Sequence, residues 1–155
     1  MWIASPDGET RRIGKAEAVA KAAETPMILL NAPLVAQRLG YAELSGLDLL
    51  ELFAFVHPAR FAVPTAKGLA SVLGLEAAAS DEAIPRFLQA AAAKLIATLT
   101  DPNWPEREGA WDAAQALTRL RWPWARVVAD QLPKPQVKER WLFSKLPEWE
   151  ETPPR

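Results

Sequence analysis

The stretch Met27-Ile28-Leu29-Leu30-Asn31-Ala32-Pro33-Leu34-Val35-Ala36-Gln37-Arg38-Leu39-Gly40 holds a strand, a cap and a helix in sequence. Four apolar residues from Met27 to Leu30, too few for a helix, read as a short strand buried on both faces. Asn31 is a residue type that caps helices, and Pro33 belongs in a first turn, where its missing N–H costs nothing. Gly40 marks the end. A strand running directly into a helix is the unit of an α/β protein, so this segment sets the expected class.

Outward from there the punctuation is dense. Toward the N-terminus, Lys15 to Ala23 is Ala-rich with interspersed charge and predicts a short helix ended by Thr25-Pro26. Before it, Trp2 to Ala4 and Thr10 to Ile13 flank Pro6-Asp7-Gly8, a hairpin signal. Toward the C-terminus, Leu47 to Val56 reads as a strand leading into a helix, with Leu47, Leu50 and Ala54 at helical spacing. Pro58 and Pro64 bracket an irregular link. Thr65 to Leu73 predicts a helix closed by Gly74 in a left-handed cap. Ile84, Phe87, Leu88, Ala91, Leu95 and Leu99 form the clearest helical stripe, with Pro85 in its first turn. Asp101-Pro102 breaks it. A further helix is expected from about Glu106 to Leu120, with Ala110, Ala114 and Leu117 on one face. Trp122-Pro123 interrupts the chain. Shorter pieces follow near 125–132 and 136–143. From Leu146 to Arg155 the sequence is rich in Pro and Glu and reads as linker.

The 155 residues carry 18 basic and 19 acidic side chains for a net charge of −1, with 50% hydrophobic and 24% charged residues. That composition fits a folded domain and excludes a strongly basic nucleic-acid module. No cysteine is present, and His57 is the single histidine. Thiol chemistry, disulfides and metal sites needing two histidines are excluded. No Walker lysine motif and no G-x-G-x-x-G fingerprint occurs. No signal peptide or membrane-length apolar run is visible, so a cytoplasmic protein is expected.

Three clusters bear on chemistry. His57 as a general base would need an oriented carboxylate such as Asp48 or Glu51; the simpler reading is a loop histidine bonded to backbone. Asp7 and Glu9 have the D-x-E spacing of two-metal nucleases, but a Pro-Asp-Gly turn explains the aspartate on its own. Asp48 and Glu51 read as solvated acids on a helical face. Seven tryptophans are many for this length. Arg119, Arg121, Trp122, Trp124 and Arg126 form a local basic-aromatic cluster. Such a cluster suits stacked bases, a protein partner or the edge of a core.

Two resemblances extend this reading. Leu29 to Val35, Leu47 to Leu52, Lys67 to Leu75 and Asp81 to Leu99 resemble, in order and spacing, the second half of a DnaQ-type 3′–5′ exonuclease. The resemblance implies a small RNase H-like sheet with flanking helices over residues 1–100. It also implies a degenerate site. Asn31 falls within the family's H-N-A-x-F-D segment, whose acid position is Val35. The histidine and acid of the last motif fall on Asp81 and Arg86. No catalytic residue and no metal ligand is therefore expected.

Blocks running from Asn31 to Tyr41, Leu47 to Phe61, Trp104 to Gly109 and Trp141 to Glu150 resemble the N-terminal region of bacterial DinG/XPD-like ATP-dependent DNA helicases. This implies an accessory α/β domain, a Trp-rich helical extension over 101–145 and a linker over 146–155 toward a helicase motor. ATP and Mg²⁺ would belong to that motor, in cis or in trans. DNA is an expected contact of this chain, weak on its own, and no membrane is expected. The alternatives are a protein-interaction module without nucleic acid, and a residual metal-dependent exonuclease using Asp7, Glu9 and Asp48.

Overall fold

A computed structural model describes residues 1–5, 9–40 and 46–133. The Pro6-Asp7-Gly8 turn, the expected helix over 136–143 and the 146–155 linker lie outside the described residues. The rest is a mixed α/β structure dominated by helices.

Strands β1 (Trp2–Ala4) and β2 (Thr10–Arg12) pair antiparallel, with Ile3 opposite Arg11. Helix α1 (Lys15–Glu24) follows, then β3 (Ile28–Leu29) and α2 (Ala32–Leu39). Strand β4 (Leu47–Asp48) lies parallel to β3 and continues without a break into α3 (Leu49–Val56). The described strands thus pair two by two, as a hairpin and as a short parallel ladder.

The remainder is helical: α4 (Ala66–Leu73), a 3₁₀ turn at Asp81–Ala83 that feeds α5 (Ile84–Thr98), then α6 (Ala110–Arg119) and α7 (Ala125–Gln131). Helix α6 begins four residues later than its Glu106 expectation. Pro105 and Gly109 hold residues 104–109 in successive turns, and Gly109 has φ 86°. Among the described residues no helix is long and apolar enough to cross a membrane.

The main core joins α3, α4, α5, α6 and α7. Leu49, Leu52, Val56, Leu69, Leu95, Leu99 and Val128 are almost wholly excluded from solvent. Trp104, Ala110, Ala114 and Trp124 belong to the same cluster, so side chains from both sides of position 100 share one interior. The α5 stripe is as expected at Phe87, Ala91, Leu95 and Leu99. In α3 the helical spacing of Leu47, Leu50 and Ala54 does not mark the buried face. Because the helix starts at Leu49, the inward positions are Leu49, Leu52, Phe53 and Val56, and Ala54 faces solvent. A small satellite cluster forms from Ile13, Ala18 and Leu39, with Ile3, Val19 and Val35 against it.

In α4 and at its end, two glycines are required by geometry. Gly74 closes α4 in the left-handed region (φ 69°) and its N–H reaches Ala70 and Ser71 carbonyls, the cap expected from sequence. Gly68 lies within α4, yet a Cβ there would sit 2.6 Å from Val63 Cβ and closer still to the Val63 carbonyl oxygen. Helix propensity favours Ala over Gly by about 1 kcal/mol, but here the loop backbone occupies the space. Gly68→Ala should therefore destabilise the fold by ~1–3 kcal/mol through overpacking. A urea midpoint that rises in this variant would contradict the packing described.

Candidate functional site

The N-termini of α2 and α3 converge on one carboxylate. Asp48 ends β4, caps α3 and is 4% exposed. The Leu50 N–H donates to its Oδ1 at 3.0 Å, which is the ordinary cap of its own helix. The other helix end arrives through the parallel pairing of Leu29 with Asp48. The Asn31 N–H donates to Oδ1 at 2.9 Å and the Ala32 N–H to Oδ2 at 2.7 Å. The first N–H groups of both helices therefore find their acceptor in this one side chain. Asn31 holds φ 64°, a left-handed value that Asn tolerates, and its Oδ1 accepts the Leu34 N–H at 3.3 Å.

Asp48 was expected as a solvated acid beside Glu51; the structure separates them. Glu51 is exposed and Asp48 is a buried polar group used at both oxygens. The local signal was an acid directly before an apolar helix. The second helix end depends on strand pairing and has no local signature.

Two tryptophans hold α3 at its ends. The Trp104 indole N–H donates to the Val56 carbonyl at 2.7 Å, satisfying an acceptor of the last turn. The Trp124 indole N–H donates to the Asp48 carbonyl at 2.8 Å. The basic-aromatic cluster therefore divides. Trp124, at 1% exposure, belongs to the core and offers no contact surface. Trp122 is half-buried: its ring lies 5.4 Å from Phe55, and its indole N–H donates to Glu51 Oε1 at 2.9 Å. Arg119, Arg121 and Arg126 are exposed at the corner where α6 turns into α7.

The positions implied by the exonuclease resemblance serve other ends. Val35 packs against the satellite cluster. Asp81 opens the exposed 3₁₀ turn, and Arg86 is exposed on α5. Glu9 is exposed, and Asp7 lies outside the described residues. Among the described residues no group of three or more His, Asp or Glu side chains is arranged to hold a metal.

His57 closes α3, its N–H bonded to the Phe53 carbonyl at 2.8 Å and its ring 5.4 Å from Phe53. Burial, and then the positive charge of Arg60, hold its pKa below the ordinary value. It is accordingly neutral at pH 7. This agrees with a histidine that belongs to the fold.

An open groove of about 520 Å³ runs between the hairpin and the end of α1, lined by Ile3, Thr10, Arg11, Lys21, Glu24 and Met27 among others.

Comparison of the chain with protein-family models, with curated proteins and with solved structures gives no match.

Proposed function

We propose that this chain is a non-catalytic accessory domain of an ATP-dependent DNA helicase, which positions DNA or contacts the motor through the α6–α7 corner. One observation carries the non-catalytic part. Asp48, the acid nearest the strand ends, spends its carboxylate on three backbone N–H groups. Val35 and Arg86 stand where the exonuclease resemblance would require acids. A two-metal site needs several carboxylates converging on two cations. The residual-exonuclease reading on Asp7, Glu9 and Asp48 does not fit that donor chemistry. In this reading the parallel β3–β4 ladder, with each strand leading to a helix, is what remains of a DnaQ-type sheet.

The contact part rests on the three exposed arginines of the corner. Electrophoretic shift of single-stranded and forked DNA at low salt tests it, because phosphate contacts are strongest there. Retarded DNA that is released as salt rises is the expected result. No retardation at any salt would leave contact with the motor as the role.

A protein-interaction module is the second reading. Leu120 is 77% exposed beside the arginines, and Phe61 is 80% exposed on the loop before α4. Apolar groups held in water suit a protein partner.

A further inference from the structure

Arg121 is one of two non-glycine residues with positive φ among the described residues, at φ 63°. Its place is specific. Helix α6 ends in a Schellman motif: the Trp122 N–H reaches the Leu117 carbonyl at 3.0 Å and the Arg121 N–H reaches the Thr118 carbonyl at 3.0 Å. The left-handed position of that motif is the place where glycine is favoured and a branched or long side chain is strained. Asn31, the other such residue, is a type that tolerates the region and uses its side chain in a cap. Among the described residues the Arg121 side chain has no hydrogen-bond or ion-pair partner, and it is exposed.

Arg126 is also locally disfavoured. It sits in the first turn of α7, where the helix dipole opposes a cation. Arg119, in the last turn of α6, is the only one of the three that its helix favours. From Asp112 to Asp130 the sequence holds these three arginines and no acid between. Beside them Trp122 is fixed by Phe55 and Glu51, leaving an indole partly open to solvent.

We propose that the α6–α7 corner is a binding surface for a single-stranded phosphodiester backbone. Arg121 is its principal phosphate contact, and Trp122 is a fixed plane on which a base stacks. The inference rests on the DNA arm of the function proposed above and names the residues and ligand class for it. A guanidinium meets phosphate oxygens through paired N–H donors, and a neighbouring indole adds a sequence-tolerant stacking face. The Glu51 carboxylate accepts the Trp122 indole N–H at Oε1.

The position makes the test unusually discriminating, because glycine should improve the fold and harm the binding. The full chain, Arg121→Gly and Arg126→Gln are titrated into a fluorescein-labelled oligo(dT) strand by anisotropy across a salt series, and each is melted. The expected result for Arg121→Gly is a higher melting midpoint, with binding weakened several-fold. Its slope of log Kd against log salt falls by about 0.7, the value of one phosphate contact on a single strand. Arg126→Gln should weaken binding in the same sense. Wild-type affinity and slope in both variants would overturn the inference while leaving DNA binding elsewhere on the chain intact. No binding of oligo(dT) by the wild-type chain at low salt would overturn the DNA arm and the inference together. If polyglutamate binds at the corner and oligo(dT) does not, the ligand is an acidic protein segment and the nucleic-acid assignment fails.

Discussion

Asp48→Ala should unfold the junction between α2 and α3. The substitution leaves the Asn31, Ala32 and Leu50 N–H groups without their acceptor. Leaving a buried donor unmet costs about 1–3 kcal/mol each. Partial access of water at these three places the total near the low end of the sum, at about 3 kcal/mol. That is a large share of the ~5–15 kcal/mol that holds a domain together. Asp48→Asn retains one carboxamide oxygen but presents an NH₂ where an acceptor is needed, so it should lose roughly half as much. Chemical denaturation measures both losses. Amide exchange locates them: the Leu34 and Val35 amides of the first turn of α2 should lose protection before the α5 amides do. A loss under ~1 kcal/mol for Asp48→Ala would mean that the two helix ends find other acceptors.

Trp124→Ala should be at least as damaging. The side chain is 1% exposed within the cluster that joins α3 to α6 and α7, and its indole N–H meets the Asp48 carbonyl. Truncating a buried tryptophan costs about 3–5 kcal/mol through lost contacts and the cavity left behind. Trp124→Phe separates the two contributions. It keeps most of the packing and removes the hydrogen bond, a net loss of about 0.5–1.5 kcal/mol for the bond itself. The half-buried Trp122 offers the contrast: Trp122→Ala should cost clearly less, because part of its ring remains in water. Equal destabilisation by the two alanine variants would contradict the division of the cluster into a core tryptophan and a surface one.

Much of the local structure was legible in the sequence because its signals are local. Asn31, Gly40, Thr65, Gly74 and Pro85 each act within one turn of chain, and each stands where its chemistry places it. The inward face of α3 is not legible from spacing because a continuous apolar run carries no phase; only the start at Leu49 fixes which side turns inward. Asp48 looked like any acid on a helix, since the second helix end it holds comes from residues 31 and 32 through strand pairing. In the same way Trp122 and Trp124 differ by two positions and have opposite fates. What separates them is whether the indole meets the Asp48 carbonyl inside or the Glu51 carboxylate outside, and neither partner lies nearby in sequence.

Fastening both ends of α3 with indoles from the far half of the chain has a consequence during synthesis. The ribosome releases Leu49, Leu52, Phe53 and Val56 well before Trp104 and long before Trp124. Until α7 emerges, a nascent polypeptide carries an oily helix covered only in part, by α4 and α5, the kind of surface that holdase chaperones recognise. Final closure is therefore timed by the late-arriving α7, and a translational pause just upstream of it would prolong the vulnerable interval.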